Sequence, residues 1–386
     1  MVRASREFQV FVKPIGAICN LDCHYCYYLK KEHLYPKEES FRMPDDVLEE
    51  YIVQHIEASP ETVIRFSWHG GEPTLLGLDY FRKIVAIQRK HTFSNQYIAN
   101  GIQTNGTLLD EDWCQFFSTE GFAVGLSLDG PKEIHDQYRV TKDQKPTHNE
   151  VMHGFNLLQK HQVYTDILCV VNAYNVQYPL QVYRFFKQIN AQYVNFLPMV
   201  ELKPETKGVV SQISVPSEAW GTFLCTIFDE WRDHDIGKIK VQIFEEATRT
   251  AFNQEHSLCI FRSTCGDIPV VEHNGDFYSC DHFVDVEHCL GNIKETHLVK
   301  LLESPTQKAF GKAKLETLPR HCLDCRIRSM CNGGCPKNRF LETPDGESGL
   351  NYLCAGYKRF FTHCKPFVSK VAALWRQQNI KQQNPL

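Results

Sequence analysis

The most informative stretch of this chain is Cys19-Asn-Leu-Asp-Cys23-His-Tyr-Cys26, a candidate metal-binding loop. It follows an apolar, strand-like run at residues 8–13. Three cysteines spaced C-x3-C-x2-C can converge on one metal centre, because the short spacers let the backbone curl around it. A [4Fe–4S] cube needs four ligands, so three cysteines leave one iron open to bind another molecule. The alternatives are a zinc knuckle that lacks one ligand and three unrelated buried thiols.

Composition indicates an ordinary globular protein. The chain has 386 residues, 42% of them apolar, and a formal net charge of −4, which gives no sign of a nucleic-acid or membrane-surface partner. The first residues lead into a strand rather than a signal peptide, and no run of 18 apolar residues occurs, so we expect a cytoplasmic location. There, sixteen cysteines favour metal ligation over disulfides.

Strand-like and helix-like segments alternate from residue 8 to about residue 200. Further strands are predicted at 63–68, 97–103, 122–128, 166–172 and 192–197, with helices at 45–58, 79–91, 110–119, 148–161 and 178–190. This order predicts an α/β fold with right-handed crossovers, a parallel sheet and six β/α units. Ligands of such sheets lie at the carboxyl ends of the strands.

Polar motifs stand at those strand ends. His69-Gly-Gly-Glu-Pro73 follows the second strand, Gln103-Thr-Asn-Gly106 the third and Ser127-Leu-Asp-Gly-Pro131 the fourth, and Arg139 comes shortly after. Two adjacent glycines let the backbone approach a ligand closely. Each motif alone could equally be a turn or a helix cap.

Cysteines dominate the last third of the chain. Eight of them form the pattern Cys259-x5-Cys265-x14-Cys280 and Cys322-x2-Cys325-x5-Cys331-x3-Cys335-x18-Cys354, which is enough for two four-cysteine sites. Residues 270–273 and 277–279, joined around Asn274-Gly275, predict a hairpin with Cys265 and Cys280 at its ends. We predict helices at 214–234 and 357–378, a low-periodicity region after 234, and two domains, 1–235 and 236–386.

The three-cysteine loop together with Gly-Gly-Glu-Pro resembles the radical S-adenosylmethionine (SAM) superfamily, whose fold is a partial (β/α)6 barrel. The resemblance implies that Cys19, Cys23 and Cys26 hold a [4Fe–4S] cluster whose open iron binds SAM. It assigns SAM contacts to other residues as well: the loop Gly70, Gly71 and Glu72 to the methionyl ammonium, Gln103 and Asn105 to the ribose, Ser127 and Arg139 to the carboxylate, and Tyr25 and Val200 to the adenine.

The C-terminal cysteine pattern resembles the SPASM domain of peptide-modifying radical SAM enzymes. By this resemblance Cys259, Cys265, Cys280 and Cys335 would hold one auxiliary [4Fe–4S] cluster, and Cys322, Cys325, Cys331 and Cys354 the other. Four-cysteine zinc sites are the alternative. Cys169 fits a core position, and no role is assigned to Cys114, Cys225, Cys289 and Cys364.

Nearly the whole chain resembles the anaerobic sulfatase-maturating enzymes, which oxidise a Cys or Ser of an unfolded sulfatase to Cα-formylglycine. The resemblance implies that Asp281, next to Cys280, is the base that accepts the substrate proton, and that Tyr28 contacts the peptide. It also implies a flavodoxin or ferredoxin electron donor, and we expect a monomer. His69 and Ser279 depart from the residues common in that family, glutamine and proline.

Two other functions remain open from the sequence. The first is a SPASM enzyme that builds a crosslink, such as a thioether, in another ribosomal peptide. Only about seven residues precede the first strand, which leaves little room for a precursor-recognition domain and favours sulfatase maturation. The second is a non-catalytic iron–sulfur or zinc protein, which would not need an open iron.

Overall fold

The computed structural model describes residues 3–36, 40–203, 206 and 208–383. The chain forms two compact units, each built from two segments: Met1–Leu168 with Cys265–Lys312, and Cys169–Thr264 with Ala313–Leu386. The domain boundary between residues 235 and 236 stays a prediction. Among the described residues, no helix has the length and apolar character needed to cross a membrane.

The elements follow one another in an α/β order. The strands are β1 Phe11–Lys13, β2 Val63–Trp68, β3 Tyr97–Thr104, β4 Ala123–Ser127, β5 Thr165–Val171, β6 Tyr193–Pro198, β7 Lys240–Val241, β8 Val270–Glu272, β9 Asp276–Tyr278, β10 Cys289–Asn292, β11 Leu341–Glu342 and β12 Ser348–Leu350. The helices are α1 Asp45–Ala58, α2 Leu78–His91, α3 Glu111–Glu120, α4 Lys132–His135, α5 His148–Lys160, α6 Pro179–Gln188, α7 Ser217–His234, α8 Gln242–Ala251, α9 Leu298–Leu302, α10 Pro305–Glu316, α11 Arg320–Leu323, α12 Arg328–Cys331 and α13 Cys354–Gln383.

A mostly parallel sheet organises the first unit. β1 pairs in parallel with β2 on one side and with β8 on the other, and β2, β3, β4 and the start of β5 continue the parallel order. β8, β9 and β10 are antiparallel. The register places Lys13 of β1 opposite Glu272 of β8. The register therefore places the start of the cysteine loop, after Lys13, beside the turn of the β8–β9 hairpin.

Local sequence explains where these elements begin. The Asp110 side chain accepts a hydrogen bond from the Trp113 amide and caps α3, as a carboxylate at a helix N-terminus should. The β8–β9 hairpin turns at Gly275, whose φ of +92° suits glycine. Both the hairpin and the parallel order of β1 to β5 were predicted from the sequence.

The second unit packs its helices around aromatic side chains. Phe228 of α7 lies 6.1 Å from Phe360 and 5.8 Å from Phe367 of α13, measured between ring centroids. Phe244 of α8 joins the same cluster, 5.2 Å from Phe228. The prediction of a low-periodicity region after residue 234 was wrong at α8. The buried face of that helix includes Glu246, which binds His256, and this carboxylate interrupts the apolar pattern.

Candidate functional site

The cysteines of the N-terminal loop are brought together by a turn that follows β1. Cys19, Cys23 and Cys26 are all partly buried, and each lies close enough to the other two for its charge to affect them. Burial raises the pKa of the Cys19 thiol to about 11 and that of Cys23 to about 12. The Leu21 amide donates to Cys19 Sγ at 3.4 Å. Three clustered thiols with an N–H donor to sulfur fit the donor set of an iron–sulfur cluster.

The Gly-Gly-Glu-Pro loop is packed directly against the cysteine loop. The Gly71 amide donates to the Gly16 carbonyl at 2.7 Å, and the Glu72 amide donates to the Ile18 carbonyl at 2.9 Å. A Cβ atom at residue 71 would lie 2.0 Å from the Ile18 carbonyl oxygen. Only glycine allows this approach, so the motif couples the end of β2 to the loop that carries Cys19.

Glu72 has a structural role that the sequence did not indicate. Its side chain is fully buried and accepts hydrogen bonds from the amide and hydroxyl of Thr74, the hydroxyl of Thr104 and the amide of Asn105. Burial raises the pKa of this carboxyl, although the hydrogen bonds oppose the shift. The side chain of Glu72 thus joins the ends of β2 and β3.

Three of the residues predicted to line the ribose and carboxylate ends of SAM, Gln103, Asn105 and Ser127, take part in two hydrogen-bonded pairs. Asn105 Nδ2 donates to Asn20 Oδ1 at 2.9 Å and approaches Cys19 Sγ at 3.8 Å. Gln103 Nε2 donates to Ser127 Oγ at 3.1 Å. The first pair lies beside the cluster loop and the second spans β3 and β4. Their roles toward SAM stay predictions.

Arg139 is held by the carboxylate of Asp129, a residue to which the sequence analysis gave no role. Asp129 is buried and accepts from Arg139 Nε at 3.0 Å and from Nη2 at 3.2 Å. The Tyr25 hydroxyl donates to the same carboxylate, and the Arg139 guanidinium lies 5.4 Å from the Tyr25 ring centroid. Asp129 therefore fixes Arg139 and Tyr25, two residues assigned to SAM, in one buried group.

Asp281 lies against Lys13, the last residue of β1. Lys13 Nζ is 2.6 Å from Asp281 Oδ1, and the Tyr27 hydroxyl donates to Oδ2. The side chain of Lys13 is only 3% exposed and that of Asp281 16%. Burial alone would raise the pKa of Asp281, but the Lys13 ammonium, His282 and the hydrogen bonds hold it well below its usual value. Asp281 is therefore an anion at neutral pH.

Tyr28 lies next to the same ion pair. Lys13 Nζ is 3.9 Å from the centroid of the Tyr28 ring, and the Tyr28 hydroxyl donates to Glu272, which is 1% exposed. His69 stacks on Phe11 at 4.1 Å between ring centroids, and burial lowers its pKa to about 3, so its imidazole is neutral. The peptide contact predicted for Tyr28 stays a prediction.

Four cysteines of the second unit converge on one place. Cys322, Cys325, Cys331 and Cys354 line a common cavity, and their charges affect one another. Burial raises the pKa of Cys331 to about 12 and that of Cys354 to about 11, and Lys358 opposes the shift at Cys354. Four converging thiols fit one [4Fe–4S] cluster, as the resemblance of the C-terminal cysteine pattern implies.

The other predicted auxiliary set draws on both units. Cys265 and Cys280 belong to the first unit, and Cys259 and Cys335 to the second. Within the second unit, Lys314 Nζ donates to the carbonyls of Cys259 and Ile260, which fixes the backbone at Cys259. This ligand set stays a prediction.

Val200 is buried in the second unit, and its carbonyl accepts from Lys337 Nζ at 2.9 Å. Its packing on adenine also stays a prediction.

Comparison with known proteins adds independent findings. Residues 14–186 match the family model of the radical SAM superfamily, and residues 259–326 match that of the SPASM iron–sulfur cluster-binding domain. The chain is 44% identical to a serine-type anaerobic sulfatase-maturating enzyme of Bacteroides thetaiotaomicron, over 94% of this chain and 91% of that protein. It is 33% identical to a cysteine-type enzyme of Clostridium perfringens, over 94% and 98% of the two chains.

A solved structure matches nearly the full length of the chain. It is described as native anSMEcpe with bound AdoMet and Kp18Cys peptide, and it superposes with a TM-score of 0.86 at 33% identity. The match covers 95% of this chain and 99% of that one. The predicted fold class, a partial (β/α)6 radical SAM barrel with a SPASM domain, is confirmed.

Proposed function

The chain belongs to the anaerobic sulfatase-maturating enzymes of the radical SAM superfamily, and we propose that it oxidises one cysteine or serine of a sulfatase to Cα-formylglycine. The observation that carries this conclusion is 44% identity over nearly the full length of a serine-type maturating enzyme. That relative also supports serine as a target. The convergent cysteines, the close loop at Gly71 and the buried pair of Lys13 and Asp281 fit the activity.

SAM and three [4Fe–4S] clusters, when bound, supply a 5′-deoxyadenosyl radical and a path for the electron that the substrate loses. Cys19, Cys23 and Cys26 would hold the cluster that binds SAM. The other eight ligands would be Cys259, Cys265, Cys280 and Cys335 for one auxiliary cluster, and Cys322, Cys325, Cys331 and Cys354 for the other. The protein itself binds and orients SAM and the substrate, and one of its side chains accepts the substrate proton.

SAM would lie at the carboxyl ends of the parallel strands. The Gly70–Gly71–Glu72 backbone would receive its ammonium, with Gln103 and Asn105 at the ribose, Ser127 and Arg139 at the carboxylate, and Tyr25 and Val200 at the adenine. A guanidinium has five N–H donors, and two of those of Arg139 go to Asp129, so donors remain for a second carboxylate. Asp129 supports this role because it fixes the plane of the guanidinium.

Asp281 would accept the proton of the substrate thiol or hydroxyl at its carboxylate. Loss of the Cβ hydrogen atom makes the adjacent S–H or O–H far more acidic, so even a weakly basic carboxylate suffices. Lys13 keeps Asp281 ionised, and Tyr27 fixes its second oxygen. Tyr28, held by Glu272, would contact the substrate peptide.

Three further assignments concern the electron donor, the oligomeric state and the cellular location. We propose a flavodoxin or ferredoxin as the electron donor, a monomer as the working form, and the cytoplasm as its location, where cysteines stay reduced for cluster binding.

Anaerobic coexpression tests the function. A sulfatase produced with this protein should carry formylglycine and hydrolyse sulfate esters. A sulfatase produced with the triple variant Cys19→Ala, Cys23→Ala, Cys26→Ala should not. Equal sulfatase activity in both cultures would contradict the proposal.

A further inference from the structure

Gln307 lies near the start of helix α10, and its side chain is fully buried. Its Nε2 atom donates to two backbone carbonyls, that of Gly266 at 2.8 Å and that of Ser279 at 3.0 Å. Gly266 directly follows Cys265, a predicted cluster ligand. Ser279 directly precedes Cys280, a second ligand of the same predicted set. One nitrogen atom therefore connects the two ligand-bearing segments of the first unit.

The backbone of α10 lies directly against the segment that carries Cys265. The Cys265 amide donates to the Gly311 carbonyl at 3.2 Å. A Cβ atom at residue 311 would lie 2.3 Å from the Cys265 carbonyl oxygen, so this close approach requires glycine. These main-chain contacts fix α10 on the segment, and they give the Gln307 amide a fixed place from which it reaches both carbonyls.

The oxygen of the Gln307 amide has no comparable support. Oε1 is buried, and among the described residues it has no hydrogen-bond partner. A buried acceptor without a partner costs free energy, so an apolar side chain of similar length would suit a purely structural core position better. What glutamine supplies at this position is the donor nitrogen.

A hydrogen bond to a carbonyl acts on the whole peptide group. The Ser279 carbonyl and the Cys280 amide N–H belong to one planar peptide unit. When the carbonyl accepts a hydrogen bond, the N–H at the other end of the unit becomes more strongly polarised. This N–H lies only a few bonds from the Cys280 sulfur. Because N–H groups near the ligand sulfurs stabilise the more negative, reduced state of a cluster, stronger polarisation raises its reduction potential.

We propose that Gln307 is a positioning residue for the auxiliary cluster that Cys259, Cys265, Cys280 and Cys335 would hold. Its amide nitrogen fixes the spacing of the Cys265 and Cys280 segments and raises the reduction potential of this cluster. The residue acts through the two carbonyls that it binds. This inference rests on the proposed function, from which the ligand set is taken.

The variant Gln307→Met tests the inference. Methionine is nearly as long as glutamine and fills a similar buried volume, but it cannot donate to either carbonyl. The matched control is Gln54→Met. Gln54 is another buried glutamine of the first unit, and its side chain joins the Ile293 carbonyl to the Leu298 amide. Neither of these partners is a predicted ligand or the sequence neighbour of one, so the control loses similar hydrogen bonds away from the cluster.

Each protein is reconstituted anaerobically, and its iron content and midpoint potentials are measured, the latter by a redox titration followed by electron paramagnetic resonance. In Gln307→Met we expect one of the three midpoint potentials to become more negative and the other two to stay unchanged. Loss of that one cluster, from about twelve irons per chain to about eight, would equally support the inference, because it shows that the two segments have separated. Gln54→Met should keep the iron content and all three potentials of the unaltered enzyme.

Two results would overturn the role of Gln307. One is a full iron content with three unchanged potentials in Gln307→Met, and the other is an equal loss of iron in Gln307→Met and Gln54→Met. Where Gln307→Met yields no soluble protein, Gln307→Asn decides by the same criteria, since its shorter amide cannot reach both carbonyls. The potentials are measured without substrate, and conversion of a sulfatase peptide by the unaltered enzyme is scored separately. A missing aldehyde therefore contradicts the proposed function and leaves the potentials to decide on Gln307.

Discussion

Lys13 and Asp281, which are far apart in the sequence, form an ion pair with 2.6 Å between Nζ and Oδ1. β1 and β8 are parallel neighbours, and Asp281 lies in the loop that follows the β8–β9 hairpin. The ammonium also covers the ring of Tyr28. The ion pair thus joins the end of β1, which leads into the cluster loop, to the proposed base beside Cys280.

The Asp281→Asn variant should lose aldehyde formation and keep SAM cleavage. An amide cannot accept the substrate proton, and a positioned base contributes on the order of 100-fold or more. Aldehyde and 5′-deoxyadenosine are quantified in the same reaction. Asp285→Asn, in the same loop and paired with His288, is the matched control and should behave as the unaltered enzyme. Full aldehyde formation by Asp281→Asn with intact clusters would contradict the base assignment.

The Lys13→Met variant should shift the acid limb of the pH–rate profile to higher pH. Lys13 lowers the pKa of Asp281, so its removal raises that pKa and reduces the ionised fraction at any acidic pH. The rate at neutral pH should fall about tenfold, because a buried carboxylate loses its partner. Lys13→Arg keeps the charge and should restore the limb in part. Identical profiles for all three proteins would show that the pair does not control Asp281.

The Gly71→Ala variant should weaken SAM binding and cluster retention. Its Cβ would lie 2.0 Å from the Ile18 carbonyl oxygen, so the cysteine loop must move. We expect a cost of about 3 kcal/mol in the free energy of unfolding, as for overpacked sites. Gly101→Ala in β3, where the nearest atoms are 3.8 Å from the added Cβ, is the control. Thermal unfolding and equilibrium binding of SAM measure both effects.

Loss of a second-unit cysteine should remove one cluster only. The Cys325→Ala variant should bind about eight irons per chain instead of the roughly twelve that three cubes require. SAM cleavage by pre-reduced enzyme should persist, since the N-terminal loop is untouched. Cys225→Ser, on helix α7, should keep the full iron content. Unchanged iron in Cys325→Ala would contradict its assignment as a ligand.

Local sequence was sufficient for much of the fold. The alternation of strands and helices predicted β2 to β6 and helices such as α1 within a few residues, because each element carries its own periodicity. Acidic residues in the first turn also marked the starts of α1 and α3. Helix α8 was not predicted, because Glu246 lies on its buried face and interrupts the apolar pattern.

The site was only partly predictable. Cysteine spacing is a local signal, and it indicated which cysteines are candidate ligands. Partners such as Lys13, Tyr27, Asp129 and Glu272 act through contacts between distant segments; Tyr27 and Asp281 are 254 residues apart. Asp129 lies within a motif that sequence reasoning did identify, yet its role appears only when Arg139 and Tyr25 are seen to converge on it.

The most direct measurement follows a short peptide with the sulfatase motif Cys-x-Pro-x-Arg, and its serine counterpart, by mass spectrometry. Each peptide is incubated anaerobically with the reconstituted enzyme, SAM and a reductant. Formylglycine production predicts a loss of about 18 Da from the cysteine peptide or about 2 Da from the serine peptide, together with 5′-deoxyadenosine. Cleavage of SAM with both peptides unchanged in mass would contradict the assignment of this protein to sulfatase maturation.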